Sequence, residues 1–111
     1  MQNEMDQSEA VAALSALAQD TRLSVFRLLV QAGPDGVPAG DIAAALGVRQ
    51  NTLSTHLGIL SSGGLAVRRR AGRTIYYAAD FDGMRALLSY LLKDCCGSEQ
   101  SICRPLLETV C

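Results

Sequence analysis

The sequence of 111 residues contains no long apolar run of the kind that a membrane-spanning helix requires. Its apolar runs, such as residues 42–46, are far shorter than the roughly 18 residues that such a helix needs. The first residues are acidic and lack the basic and apolar regions of a secretory signal peptide. We therefore expect a cytoplasmic protein without a membrane partner. The length predicts a single domain over residues 1–111 with one modest core.

Acidic side chains are missing from the middle of the chain, although the formal net charge is only −1. All 11 acids lie before Ile42 or after Ala79. The stretch between these positions carries the single histidine and five arginines, namely His56, Arg49, Arg68, Arg69, Arg70 and Arg73. A locally basic segment between acidic flanks is typical of a phosphate-binding surface. Taken alone, the arginines also fit a solvated basic surface without a partner.

Hydrophobic periodicity and chain breakers predict four helices, a hairpin and a fifth helix. Helices are expected over residues 8–18, 39–46, 50–61 and 81–94. A further helix is expected to begin at Asp20, which suits an N-cap, and to end at a chain break over residues 33–36. A period of two over residues 65–79 predicts a β-hairpin that turns at Ala71 and Gly72. The predicted class is mainly α with a β-hairpin, in the order α-α-α-α-β-β-α.

Apolar residues at helical spacing mark one side of four of these helices. On the first helix they are Val11, Leu14, Leu17 and Ala18, and on the last Met84, Leu87, Leu88, Leu91 and Leu92. The second helix is expected to carry inward Leu23, Phe26, Leu29 and Val30. The fourth is expected to bury Leu53, Leu57 and Leu60.

The short third helix, a turn at Gly47 and the fourth helix form a predicted helix-turn-helix, with the hairpin as its wing. Gly47 suits a left-handed C-terminal cap. In such a motif the second helix lies in the DNA major groove. Its side opposite the leucines offers polar groups to bases and phosphates, namely Gln50, Asn51, Thr52, Ser54, Thr55 and His56. A merely solvated helix side would usually mix glutamate and lysine, and no acid is present here.

The remaining predicted DNA contacts are arginines. Arg49 immediately precedes the fourth helix. Near the hairpin tip, Arg68, Arg70 and Arg73 are expected to reach flanking phosphates or the minor groove. Residues alternate between the two sides of a strand, so Arg69 is expected to point away from the DNA.

Several stretches taken together resemble the ArsR/SmtB family of metal-responsive repressors, over about residues 8–95. They are residues 20–23 (DTRL), 42–48 (IAAALGV), 50–60 (QNTLSTHLGIL), 64–65 (GL) and 72–77 (GRTIYY). The resemblance implies a winged-helix homodimer that pairs through its first and last helices. It also implies a palindromic operator in double-stranded DNA, which is released when a metal or metalloid binds.

The positions of the cysteines depart from the sites familiar in that family. The family's arsenic site places Cys-x-Cys on the first helix of the helix-turn-helix, where residues 38–46 contain no cysteine. Its zinc site uses Asp and His on the last helix, whereas the only histidine here is His56. All four cysteines instead follow the last predicted helix, at Cys95, Cys96, Cys103 and Cys111. A sensor tail is therefore expected over about residues 95–111.

Three soft thiolates, from Cys95, Cys96 and Cys103, suit As(III) or Sb(III), whose lone pair favours a pyramid of three ligands. The resemblance to arsenic sensors with displaced C-terminal cysteines favours As(III) as the inducer. Recruitment of Cys111 would give a four-sulfur zinc or cadmium site, and a methylated arsenical needs only two thiolates. Oxidation of the close thiols to a disulfide, as a redox switch, is the remaining alternative.

The sequence lacks the patterns of an enzyme. It has no Cys-x-x-Cys pair, no glycine-rich phosphate cradle and no second histidine for a triad. A thiol-based arsenate reductase would need an arginine six positions after its reactive cysteine. Ser101 and Ile102 stand at those places after Cys95 and Cys96. We therefore expect neither catalysis nor a catalytic cofactor.

Overall fold

A computed structural model describes residues 5–93 and positions 104, 105 and 108. In chain order, residues 5–93 form α1 (Gln7–Leu17), α2 (Asp20–Ala32), β1 (Val37–Pro38), α3 (Ala39–Leu46), α4 (Gln50–Ser62), β2 (Ala66–Ala71), β3 (Thr74–Ala79) and α5 (Phe81–Leu91). This arrangement is a winged helix-turn-helix, as the sequence predicts. Among the described helices, none has the length and apolar character needed to cross a bilayer.

The sheet has three strands, one more than the sequence predicts. β1 pairs antiparallel with β3, Val37 opposite Tyr77 and Pro38 opposite Tyr76. β3 pairs antiparallel with β2, so the strand order is β1-β3-β2. Proline is tolerated in β1 because this strand lies at the edge of the sheet. The short strand anchors the start of α3 to the base of the wing.

The predicted hairpin turn was wrong by one residue. Ala71 pairs with Thr74, so the turn consists of Gly72 and Arg73 and not of Ala71 and Gly72. Gly72 has a φ of 64°, which the first position of a type I′ or type II′ turn requires. Arg73 therefore lies at the apex of the wing.

The core lies where α2, α3 and α4 meet the base of the wing. The prediction for α4 is confirmed, because Leu53, Leu57 and Leu60 are all buried. The largest fully buried side chains around them are Val25, Leu29, Ile42 and Leu65. Burial of these branched side chains is the main contribution to the stability of the domain.

Two details of α2 differ from the sequence prediction. Its N-cap is Gln19 and not Asp20, because the Gln19 side chain accepts a hydrogen bond from the Arg22 N–H at 2.9 Å. The prediction that Leu23 faces inward was wrong, since 46% of this residue is exposed. Phe26 and Leu29 are buried as predicted, and Val30 is half-buried.

α1 packs small residues against the core, and both terminal helices leave large apolar side chains exposed. α1 begins at a capping box, in which Asp6 and Glu9 each accept the other's backbone N–H. Its buried residues are Ala10, Ala13 and Ala16. On α5 only Leu87 is buried, and this helix ends at Leu91 with Leu92 as its C-cap, three residues earlier than the predicted end at Asp94. The exposed large side chains of the two helices are Val11, Leu14, Leu88 and Leu91.

Candidate nucleic-acid interface

The turn between α3 and α4 has the geometry that the sequence predicts. Gly47 ends α3 in the left-handed conformation, with φ 65° and ψ 34°. The N–H groups of Gly47 and Val48 both donate to the carbonyl oxygen of Ala43. These hydrogen bonds cap the last turn of α3. α4 begins three residues later at Gln50. This tight connection fixes α4 across α3, as in a helix-turn-helix.

One side of α4 is buried and the other is polar. With the three leucines in the core, the predicted DNA contacts on the opposite side are exposed, except for His56, which is half-buried. Arg49 occupies the N-cap position with its side chain exposed and makes no capping hydrogen bond. The positive end of the helix dipole therefore lies next to a cationic residue in the chain. Such a helix start attracts phosphate.

Some of these polar groups have intramolecular partners. Asn51 Oδ1 accepts the N–H of Thr52 at 2.8 Å. The Thr55 hydroxyl donates to the Asn51 carbonyl oxygen at 3.3 Å, one helical turn back. Because a carbonyl or hydroxyl oxygen has further hydrogen-bonding capacity, both side chains still offer groups to DNA.

His56 is held by a residue to which sequence reasoning gave no role. Arg22 on α2 places Nη1 3.3 Å from His56 Nδ1, and its Nε donates to the carbonyl oxygen of Ala16 at 2.7 Å. Arg22 belongs to the stretch that carries the family resemblance, but the contact joins residues 34 positions apart. No local periodicity signals such a pair.

The strand alternation separates the wing arginines into two groups. Arg69 lies across from Tyr76, with its guanidinium carbon 4.5 Å from the ring centroid. Its Nη2 also donates to the carbonyl oxygen of Asp35 at 2.7 Å. Arg68 and Arg70 point to the other side of β2. Arg69 is thus committed to contacts within the protein.

Three arginines remain available near the tip of the wing. Arg68, Arg70 and Arg73 are exposed, and Arg70 Nε donates to the Gly72 carbonyl oxygen at 3.1 Å. That contact holds the Arg70 side chain against the turn. Arg73 lies in the turn itself.

The electrostatic character of this surface comes from its lack of acids. Among the described elements, α4, β2 and β3 carry no aspartate or glutamate, and the nearest acids in sequence are Asp41 on α3 and Asp80 after β3. No carboxylate of these elements therefore competes with DNA phosphates for the arginines. The exposed side of α4 and the wing can therefore approach a polyanion without repulsion from carboxylates on these elements.

The predicted metal ligands Cys95, Cys96 and Cys103 lie outside the described residues, as does Cys111. Within the part of the chain that the structure describes, no three histidine, cysteine, aspartate or glutamate side chains come close enough to hold a metal ion. The cysteine site therefore stays a prediction from the sequence.

A family model for a helix-turn-helix domain matches residues 17–70, from the end of α1 into β2. Among solved structures, the chain is similar to the homodimeric winged helix-turn-helix DNA-binding domain of a possible ArsR-family transcriptional regulator from Mycobacterium bovis. The two are 32% identical with a TM-score of 0.64, and the match covers 85% of this chain and 91% of that one.

Two further structures resemble the chain over most of its length. A possible transcriptional regulator for arsenical resistance is 29% identical with a TM-score of 0.63, covering 71% of this chain and 79% of that one. The antimony-specific transcriptional repressor AntR is 32% identical with a TM-score of 0.59, covering 76% and 75%. These similar proteins are regulators or possible regulators of transcription.

Proposed function

The chain belongs to the ArsR/SmtB family of winged-helix transcriptional regulators. We propose that it is a repressor that binds operator DNA as a homodimer. We further propose that trivalent arsenic or antimony releases it from the DNA. The observation that carries the proposal is the acid-free exposed side of α4 and the wing. Polar side chains on a helix and arginines on an adjoining hairpin match the needs of major-groove reading and phosphate contact, respectively.

In the proposed complex, α4 enters the major groove with its first turn leading. Gln50 and Asn51 lie in that turn, and amide side chains of this kind bind adenine through two hydrogen bonds. Ser54, Thr55 and Thr52 are short hydroxyl side chains suited to bases or phosphates. The start of α4, beside Arg49, faces the sugar-phosphate backbone of the DNA.

The wing supplies affinity more than specificity. Arg68, Arg70 and Arg73 neutralise phosphates beside the half-site, or enter the minor groove. Each neutralised phosphate releases condensed counterions, so the binding weakens steeply as salt rises. A winged-helix module that contacts only proteins would show little such dependence.

Dimerisation through α1 and α5 is supported by their exposed apolar side chains. Between 42% and 53% of each of Val11, Leu14, Leu88 and Leu91 is exposed in the single chain. A second copy that covers these side chains would gain about 25 cal/mol for each Å² of apolar surface buried. The similar domain from M. bovis is a homodimer. The two copies of α4 would then meet operator half-sites about one turn of the DNA double helix apart.

The proposed inducer site is formed by thiolates. Cys95 and Cys96 follow α5 closely in sequence, and Cys103 supplies the third sulfur. Soft ligands without histidine or carboxylate favour a soft, trivalent metalloid over hard cations. The antimony specificity of AntR and the arsenical-resistance role given to the other regulator support this choice.

Inducer binding would reach the DNA through α5. This helix both exposes apolar residues to the proposed partner copy and leads into the cysteines. A thiolate site that forms at its end would change how α5 meets the partner, and hence the separation of the two α4 helices. A coupling free energy of about 1–3 kcal/mol is enough for derepression.

The test is fluorescence-polarisation binding to DNA from upstream of the gene, titrated with As(III), Sb(III), Zn(II) and Cd(II) under reducing conditions. We expect As(III) and Sb(III) to release the DNA from the wild type, and not from the Cys95→Ser, Cys96→Ser and Cys103→Ser variants. Cys111→Ser is the matched control and should respond like the wild type.

Three outcomes would change the proposal. Release by As(III) that persists in the three serine variants would refute the cysteine site. Release by Zn(II) and Cd(II) that requires Cys111 would indicate a four-sulfur metal site. Tight binding that no ion disturbs, but that an oxidant abolishes, would leave a repressor controlled by thiol oxidation.

A further inference from the structure

Arg22 lies where three helices meet. It belongs to α2, its Nε donates to the Ala16 carbonyl oxygen at the end of α1, and its Nη1 contacts His56 Nδ1 on α4. The two distances are 2.7 Å and 3.3 Å. Both contacts are partly buried, so water competes with them less than at the open surface. A single guanidinium therefore links the end of α1 to the middle of α4.

The contact with His56 favours one position for the proton of the ring. A guanidinium group carries five N–H donors and no acceptor, and it stays charged at any pH that the protein experiences. The nitrogen that faces it, Nδ1 of His56, can form a hydrogen bond with it only as the acceptor, and so only without a proton. In a neutral imidazole the proton then lies on the other nitrogen, Nε2.

We propose that Arg22 is a positioning residue for DNA binding, which holds His56 in one ring orientation and in the Nε2–H tautomer. His56 then presents an N–H donor to an acceptor on the DNA, a phosphate or a base edge. The inference rests on the proposed function, because it assumes that the exposed side of α4 meets DNA. Arg22 itself is not proposed to touch the DNA.

An arginine suits this role better than a lysine would. The Nε contact with Ala16 anchors one edge of the planar guanidinium, so Nη1 is aimed at His56 and cannot swing away freely. A lysine ammonium carries its donors on a single nitrogen. It therefore lacks the two separate, rigidly spaced nitrogens with which Arg22 meets Ala16 and His56.

The first test concerns the free protein and does not depend on DNA. Because the sequence has one histidine, its ring nitrogens give unambiguous signals in a long-range ¹H–¹⁵N correlation spectrum. At a pH where the ring is neutral, we expect the wild type to show a protonated Nε2 and an unprotonated Nδ1. The Arg22→Met variant should show a larger share of the Nδ1–H tautomer. A wild-type ring protonated on Nδ1 would overturn the inference.

The second test is operator affinity in a double-mutant cycle. Arg27→Met is the matched control, because Arg27 is an exposed arginine on the same helix. Both variants lose one positive charge, but we expect Arg22→Met to bind the operator about tenfold more weakly than Arg27→Met. The double variant Arg22→Met/His56→Asn should bind no more weakly than the weaker single variant. Equal losses for the two methionine variants, or additive losses in the cycle, would refute the positioning role.

A pair of substitutions at His56 keeps the test decisive if Arg22→Met fails to fold. His56→Gln places an amide N–H near the position of Nε2, whereas the shorter His56→Asn reaches only the position of Nδ1. Both leave the contact between Arg22 and Ala16 in place. We expect the glutamine variant to bind the operator more tightly than the asparagine variant, and equal affinities would contradict the inference. A wild type that binds no operator would instead count against the proposed function, with the tautomer result unaffected.

Discussion

Two outward-facing surfaces of this small protein have opposite chemistry. Apart from Ile59 and Val67, the side chains that α4 and the wing expose are mainly polar or basic and include no acid, whereas α1 and α5 expose four large apolar ones. The difference follows from what each helix gives to the core. α4 buries three leucines and has polar residues left for the outside, but α1 buries only alanines and leaves Val11 and Leu14 exposed.

This contrast separates two kinds of partner. A helix that buries small residues while large apolar ones stay outside has a second surface to cover, since clustered exposed apolar residues commonly mark interaction sites. A helix that exposes hydroxyls, amides and arginines without acids is suited to a polyanion. We therefore propose that the first surface meets DNA and the second a second copy of the chain.

The largest expected effect comes from placing a charge on the apolar surface. Leu88→Glu on α5 should convert the dimer to monomers and lower operator affinity by roughly a hundredfold, because burying an unpaired carboxylate in an apolar interface costs several kcal/mol. Light scattering after gel filtration measures the oligomeric state, and fluorescence polarisation measures the affinity.

Leu23→Glu is the control for that variant. Leu23 has the same exposed fraction as Leu88, 46%, but lies on α2. We expect Leu23→Glu to remain dimeric with unchanged affinity. If the two variants behave alike, α5 has no special place in dimerisation.

An intermediate effect is expected on the polar surface. Gln50→Ala at the start of α4 should weaken specific operator binding by about 1–3 kcal/mol, the worth of a bidentate base contact. Binding to unrelated DNA should change little, because phosphate contacts remain. Gln31→Ala, an exposed glutamine on α2, is the matched control and should leave both affinities unchanged. A uniform loss on all DNA sequences would argue against base reading by Gln50.

The smallest effects distinguish neighbouring arginines of the wing. Arg68→Gln should reduce the slope of log affinity against log salt by about 1, since one phosphate contact is lost. Arg69→Gln should keep that slope and instead lower the free energy of unfolding by about 0.5–1 kcal/mol, through loss of the contact with Tyr76. Salt titrations and urea unfolding measure the two quantities. The opposite pattern would mean that Arg69 faces the DNA.

The sequence predicted the elements whose signals are local. The bounds of α3, the left-handed Gly47 and the buried leucines of α4 follow from helical periodicity and from the one residue type that adopts positive φ freely. The opposite strand sides of Arg69 and of Arg68 follow from the alternation of a strand. These features decide the fold class and the composition of the candidate interface.

The features that the sequence did not reveal depend on tertiary contacts or on fine geometry. Leu23 is six residues before Leu29, which places it about 120° around α2 from the buried side. The two-residue strand β1 exists only through its pairing with β3, about 40 residues later in the chain. The contact between Arg22 and His56 likewise joins distant segments. The proposed cysteine site lies outside the described residues and stays a prediction.

The contrast between the two surfaces is tested most directly by amide chemical-shift mapping during titration with operator DNA. We predict the largest changes in residues 50–56 of α4 and 68–73 of the wing, with α1 and α5 little affected. Changes concentrated on α1 and α5, with α4 and the wing unchanged, would contradict the assignment of these surfaces.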